Sequence, residues 1–268
     1  MRIIVPIKQV PETNAVKMDE STGTMIREGV EAIINPLDLY AIELAIRLRE
    51  SAPAGSGEVI AISMGPPKAM SALREAIAMG CDSAVLISDK AFAGSDTWAT
   101  SYVLAAAIRR IGDCDLILCG ERATDGDTGQ VGPGIAAFLE LPVGSYVSKV
   151  DGVDAKTCRV HRLVEDGYEV LDMDLPAVLT VVKEVADPRL PTLRGKQRAR
   201  TAAIPTWGPG DLKVEAKYLG LEGSPTRVVK IFRPKVARQC EKVVASDEQS
   251  VNEAADKLVA MLQKKDLL

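Results

Sequence analysis

Between Gly120 and Gly134 the chain reads GERATDGDTGQVGPG, small and polar with no aromatic side chain. Glycines would let backbone amides approach a phosphate, and a helix starting behind them would favour negative charge. Thr124, Thr128 and Gln130 add neutral hydrogen-bonding groups, and Arg122 adds a positive one. Asp125 and Asp127 oppose a phosphate unless they turn away, cap the turn, or accept from a ribose or flavin donor. No Lys-Ser/Thr pair follows the glycines, so this is not a P-loop, and no GxGxxG follows the first strand. Asp125-Gly126-Asp127 lacks the later ligands of a calcium loop. Composition leaves two readings open here, a nucleotide-binding turn and a purely structural one.

Other chemistry-bearing residues are sparse. His161 is the only histidine and no GxSxG accompanies it, so a serine triad has no support. Five cysteines, at 81, 114, 119, 158 and 240, form no CxxC pair and no zinc spacing, and are expected to be reduced structural thiols.

The elements that would carry the loop alternate. RIIVPI (2–7), EVIAIS (58–63), SAVLI (83–87) and DLILC (115–119) are short apolar runs, as strands buried on both faces should be. Between them lie helical patterns. NPLDLYAIELAIRLRE opens with Asn35 as an N-cap and Pro36 at the first position. PPKAMSALREAIAMG stops at Gly80, SDTWATSYVLAAAIRRIG stops at Gly112, and QVGPGIAAFLEL follows the loop. This alternation predicts an α/β fold, a Rossmann-like parallel sheet with helices on both faces. The quoted loop then sits where a strand's carboxyl end meets a helix, the usual ligand position of such sheets.

From about Val150 the pattern changes. TCRVHRLV and YEVLDMD read as an added β-hairpin turning at Asp166-Gly167, and PAVLTVV as another strand. Asp187 begins a proline-, glycine- and arginine-rich stretch without a sustained period, read as an extended arm. SDEQSVNEAADKLVAMLQKKDLL is a terminal helix capped by Ser246, with Val251, Ala255, Leu258, Val259 and Leu262 on one apolar face. The division expected is 1–186, a nucleotide-binding α/β domain, and 187–268, a partner-binding arm with a C-terminal helix.

Bulk properties exclude several classes. A net charge of -4 and 4% aromatic residues argue against a nucleic-acid binder. No apolar run approaches the roughly 20 residues of a membrane span. The opening MRIIVPIKQVPET is too short and strand-like for a secretory signal, so a cytoplasmic location is expected.

The chain resembles the small (beta) subunit of electron-transfer flavoproteins over essentially its whole length. VHRLVEDGYEVLDMDLPAVLT (160–180) matches that family's signature at Val160, Arg162, Glu165, Asp166, Gly167, Glu169, Leu171, Pro176, Val178, Leu179 and Thr180. IKQVPET, NPLD (35–38), AISMGPP (61–67) and the 120–134 loop fall in the family's order. The signature itself reads as structural. The resemblance implies a nucleotide site built from Pro6, Asn35, Asp38, Ala61 and Met64 together with Gly120, Arg122, Ala123, Thr124, Asp125, Gly126, Asp127, Thr128, Gly129, Gln130 and Val131. Asn35 could serve as a helix cap, a site residue, or both.

One branch of the family holds AMP in this subunit as a structural plug. The other holds a second FAD that NADH reduces, and its electrons are split between a high- and a low-potential path. GERATDGDTGQVGP and AGSDTWATSYVL (93–104) resemble the second branch. That implies FAD as cofactor, with AMP as the alternative, and NADH as donor. Asp96 and Thr97 could meet an isoalloxazine edge, unless Ser95 or Asp96 merely caps a helix, and Arg122 could stabilise a reduced ring. Implied partners are the alpha subunit in a heterodimer, ferredoxin or flavodoxin, and an acyl-CoA dehydrogenase or similar enzyme. RLPTLRGK matches the family's recognition loop, making Leu190, beside Pro191, the anchor and Arg189, Arg194 and Lys196 steering charges; the competing expectation is Leu190 packed on its own domain. A stand-alone nucleotide-binding regulator is the rival of another class, against which the arm and terminal helix count.

Overall fold

The computed structural model describes residues 1–12, 32–53, 55–229 and 242–268. Cys240 lies outside them. The chain divides into two compact units, Met1–Val229 and Lys230–Leu268.

In the first unit the strands are β1 (Arg2–Pro6), β2 (Gln9–Pro11), β3 (Ala32–Ile34), β4 (Glu58–Met64), β5 (Ser83–Ile87), β6 (Leu116–Gly120), β7 (Val143–Val153), β8 (Thr157–Val164), β9 (Gly167–Asp174), β10 (Ala177–Val181) and β11 (Thr206–Trp207). Its α-helices are α1 (Asp38–Ser51), α2 (Met70–Met79), α3 (Thr97–Ile111), α4 (Val131–Leu139), α5 (Leu193–Thr201) and α6 (Pro209–Leu212). One sheet runs β11-β5-β4-β1-β6-β10-β7-β8-β9, parallel as far as β7 and antiparallel beyond it, while β2 and β3 form a separate antiparallel pair.

Alternation along the central strands divides the core in two. Ile3, Val5, Val59, Ala61, Leu116 and Leu118 face α1 and α2. Ile4, Ile60, Ile62, Ile117 and Cys119 face α3 and α4. Because both faces are covered, the buried stretches of these strands are apolar in near-continuous runs rather than at every second residue. Burying each such isoleucine stabilises the fold by about 1.5–3 kcal/mol relative to exposure. The α/β sheet with helices on both faces is thus the observed fold.

Several details differ from the sequence reading. Asn35 does not cap α1, which starts at Asp38 behind Leu37. In the β8–β9 hairpin Val164 pairs with Gly167, so Glu165 and Asp166 make the turn, and the hairpin extends the main sheet through β7. β7 escaped notice because its sequence mixes apolar and polar residues without strict alternation and is interrupted by Gly144 and Gly152. Residues 187–229, expected as an extended arm, lie within the first unit. There α5 packs on α2, where Ala199 is buried and Arg198 Nη2 donates to the carbonyls of Ile77 (2.8 Å) and Cys81 (2.7 Å). Four cations and Gly195 hide the helical period of α5, which buries only a narrow side.

The second unit contains α7 (Glu248–Lys264), capped by Asp247 rather than Ser246: the Asp247 carboxylate accepts from Ser250 N at 2.8 Å. Val251, Leu258 and Val259 are exposed on it. Among the described residues no helix is long and apolar enough to cross a membrane.

Candidate functional site

The strand order reverses at β1: β4 and β5 lie to one side, β6 and β10 to the other. A crevice opens beyond the carboxyl ends at such a point. Three strand ends meet there, with Pro6 opposite Ile62, Val5 opposite Ala61, and Ile4 opposite Ile117. Of the residues expected at the site, Pro6 and Ala61 are buried, so they shape the floor, while Met64 is half-buried at the end of β4.

Asn35 and Asp38 fasten the loop to this floor. Asn35 Nδ2 donates to Asp38 Oδ1 (2.9 Å) and to the carbonyl of Arg122 (2.9 Å), and its Oδ1 accepts from Thr124 N (3.1 Å). One buried amide thus joins the start of α1 to the loop after β6. Asp38 also accepts from Lys8 N at 2.7 Å, just past β1. Burial pushes the Asp38 carboxyl up to about 7, against the opposing effect of the Lys8 and Asn35 hydrogen bonds and the Lys8 charge. Gly120 lies against this cluster. A Cβ there would overlap Asp38 Oδ1 and come within 2.9 Å of Leu37 O.

Beyond Gly120 the loop closes on itself, with Gly126 N (3.3 Å) and Asp127 N (2.8 Å) both donating to Ala123 O. Asp127 and Gly129 have φ of 54° and 63°, left-handed values that glycine adopts freely and aspartate tolerates. A Cβ at Gly126 would meet nothing within 4 Å, so the backbone there is open to a ligand. Thr124, Thr128 and Gln130 are exposed, and Gln130 and Val131 begin α4, whose first amides have no partner within the helix.

The objection raised by the aspartates has a structural answer. Asp125 is paired with Lys8 Nζ at 2.6 Å. Asp127 is paired with Arg122 Nε at 2.9 Å, and Glu121 with Arg122 Nη1 at 3.2 Å. Much of the loop's negative charge is therefore offset within the site. Sequence reasoning missed Lys8, because a lysine past a strand is ordinary until β1 is known to adjoin β6. Arg122, expected near a reduced ring, is occupied by these carboxylates.

Asp96 and Thr97 lie across the crevice at the start of α3. Thr97 Oγ1 donates to Gln130 Oε1 at 2.9 Å, joining that helix to the loop. Asp96 is the N-cap: Oδ1 accepts from Ala99 N (3.0 Å), and Oδ2 accepts from Thr226 N (2.9 Å) and Thr226 Oγ1 (2.7 Å). Both carboxylate oxygens are engaged, which leaves Thr97 better placed than Asp96 to meet a ligand.

The stretch expected to dock a partner is divided. Leu190 is 85% exposed and Leu193 is 87% exposed, so Leu190 does not pack on its own domain. Arg194 and Lys196 are exposed too. Arg189 points inward instead. It forks onto Glu43 (Nε–Oε2 2.8 Å) and Glu50 (Nη1–Oε1 2.7 Å), and its amide adds a 3.1 Å bond to Glu43. Its guanidinium is engaged by two carboxylates of α1, which ties the base of the loop to that helix. Glu43 carries no signal of this in the sequence, where it is one acid among the apolar residues of α1.

Outside the crevice, His161 Nε2 lies 2.6 Å from Asp151 Oδ2 on the sheet extension. Cys81, Cys119 and Cys158 are buried free thiols and Cys114 is half-buried; burial pushes Cys81 up to about 12 and Cys114 and Cys158 to about 11, and raises Cys119 as well. Such thiols are protonated and inert near neutral pH.

Residues 22–212 match the model of the electron transfer flavoprotein domain. The chain is 46% identical to the caffeyl-CoA reductase-Etf complex subunit CarD of Acetobacterium woodii, over 100% of both chains. It is 45% identical to the electron transfer flavoprotein subunit beta of Thermoanaerobacterium thermosaccharolyticum, over 96% of this chain and 98% of that one. It is 40% identical to protein FixA of Azorhizobium caulinodans, over 99% and 95%.

Proposed function

The chain belongs to the electron transfer flavoprotein family, as a beta subunit, and from that premise we propose that its crevice holds FAD and serves electron bifurcation from NADH. It acts in a heterodimer with the alpha subunit, in the cytoplasm. The recipients are ferredoxin or flavodoxin on one path and, through the alpha subunit's flavin, an acyl-CoA dehydrogenase or similar enzyme on the other. The observation that carries the nucleotide reading is the loop at the reversal of strand order. Its carboxylates are paired with Lys8 and Arg122, and its backbone at Gly126 is open. Similarity along its whole length, at 46% identity, to a subunit named as part of a caffeyl-CoA reductase-Etf complex supports the bifurcating branch.

FAD supplies, when bound, a two-electron acceptor for hydride and two one-electron exits. The chain's residues supply the rest. Asn35 and Asp38 hold the loop against α1, so the amides of Thr128 to Val131 are set before a ligand arrives. Lys8 and Arg122 prevent the carboxylates from repelling a phosphate. The hydroxyl of Thr97 and the amide of Gln130 face the same crevice as a hydrogen-bonding pair. Leu190 and Leu193, with Arg194, form the docking face, its base set by Arg189.

The AMP-holding alternative draws on one observation: the Asp96 carboxylate is already engaged by the cap and by Thr226, which removes a contact expected for a flavin edge. The two readings separate in an anaerobic assay of the heterodimer. Bifurcation requires NADH to reduce ferredoxin or flavodoxin only while a high-potential acceptor is also being reduced. NADH oxidation without that coupling, or none, sinks the bifurcating reading and leaves the family intact.

A further inference from the structure

We infer that Asp96 is a positioning residue whose carboxylate clasps the outgoing segment Gly220–Thr226 to the start of α3, tying that segment to the occupancy of the nucleotide loop. The inference rests on the nucleotide reading above. The clasp spans 130 positions and uses both partners' backbones: Asp96 Oδ2 accepts from Thr226 N and Oγ1, while Asp96 N donates to Ser224 Oγ at 2.8 Å. Ser224 Oγ in turn donates to Gly220 O at 2.6 Å. Leu221 N donates to Ala93 O at 3.1 Å. The approach is close enough that a Cβ at Gly220 would lie 2.6 Å from Ala91 O, and one at Gly94 would lie 3.0 Å from Leu221 Cβ.

The same turn of α3 touches the nucleotide loop on its other flank. Thr97 Oγ1 donates to Gln130 Oε1, and Ser101 Oγ donates to Thr97 O at 2.6 Å and lies 3.3 Å from Val131 O. The first turn of α3 therefore has the loop on one side and the outgoing segment on the other. An N-cap needs one oxygen, and serine would serve as well. The second oxygen is what reaches Thr226. Burial raises the Asp96 carboxyl, but the hydrogen bonds it accepts from Ala99 and Thr226 together outweigh that and hold it below its usual range, so the bonds are charge-assisted. Among the described residues, no hydrogen bond fastens 227–229 after the clasp. A ligand that orders Gln130 and Thr97 orders the turn bearing Asp96, and thereby the segment that leads out of the first unit. Reciprocity requires that the clasp strengthen ligand binding by the same factor.

Asp96→Ser separates the two roles, because it keeps a capping oxygen and removes the carboxylate's bonds to Thr226, leaving the backbone bond to Ser224 in place. Thr226→Val is the second variant; it leaves the cap untouched and removes only the hydroxyl bond. Hydrogen exchange is measured on full-length, ligand-stripped chain, with and without FAD and with and without AMP. In the wild type the nucleotide that binds should slow exchange at residues 224–228. Asp96→Ser should speed that exchange roughly tenfold without ligand, abolish the ligand's effect on it, and weaken nucleotide binding on the order of fivefold. Thr226→Val should fall between. If the wild type binds nucleotide but both variants keep wild-type exchange and affinity, the clasp inference is overturned. If the wild type binds neither FAD nor AMP, the nucleotide reading and the coupling fall together, and the ligand-free exchange of the variants alone then decides whether a clasp exists.

Discussion

Removing Arg189 should loosen the docking loop from below and destabilise the first unit. Glu43, which is 2% exposed, would lose two of its four hydrogen bonds, those from Arg189 Nε and Nη2; the backbone amide of residue 189 (3.1 Å) and Arg47 Nε (2.6 Å) remain. Breaking a buried ion pair costs about 3–5 kcal/mol. Arg47 remains and the vacated space admits water, so Arg189→Ala is expected to cost about 2–3 kcal/mol, with the exposed Glu50 arm adding under about 1 kcal/mol. The assay is urea unfolding of the full chain, followed by far-ultraviolet circular dichroism. The pH dependence has a definite sign. Burial raises the Glu43 carboxyl, but the Arg189 and Arg47 bonds outweigh it and hold it below its ordinary 4.5. The resulting stability is present above that value and is lost as pH falls through the folded pKa. The gap between wild type and Arg189→Ala should therefore be full near pH 7 and close as the pH falls below 4.5 and through the lowered folded value. A loss under about 0.5 kcal/mol at pH 7, or a gap unchanged by acid, would refute the reasoning.

Three further outcomes follow from the site. Gly120→Ala drives a Cβ into Asp38 Oδ1; it should cost about 1–3 kcal/mol in urea unfolding and lower nucleotide retention, and wild-type values for both would contradict the close approach. Asp125→Arg sets a second cation against Lys8, breaks a 2.6 Å pair and crowds the loop; the cofactor recovered per chain should fall, and full recovery would mean that the loop is not the site. Leu190→Ala should leave unfolding within about 0.5 kcal/mol of wild type, because the side chain is 85% exposed, while weakening docking to the acceptor dehydrogenase by about 2 kcal/mol or more; unfolding or cofactor loss with docking intact would remove its anchor role.

The central sheet was legible because a strand buried on both faces is apolar along nearly all of its buried length, and β1, β4, β5 and β6 are, with polar residues at the first positions of β1, β4 and β5 and Ser63 as the one buried exception. The loop was legible as a candidate because its glycines and neutral donors fall between such a strand and a helix. What was not legible depends on distant partners. Asn35 reads as a helix cap in any local window, yet its amide bonds Arg122 and Thr124, 87 and 89 positions away. Arg189 reads as a surface charge until α1 brings Glu43 beneath it. Asp96 reads as a cap, which it is, but its second oxygen is fixed by Thr226, in a stretch without any periodic signal. Helix α5 was missed for the opposite reason: its polar composition is real, and one buried alanine suffices to seat it on α2.

The most direct measurement of the central claim is a cofactor count. Heterodimer purified under gentle conditions is denatured, and the released flavin and adenine nucleotides are quantified against protein. Two FAD per heterodimer is the expected result, one from each subunit. One FAD with one AMP would contradict it, leaving an electron carrier whose beta subunit holds its nucleotide only as structure.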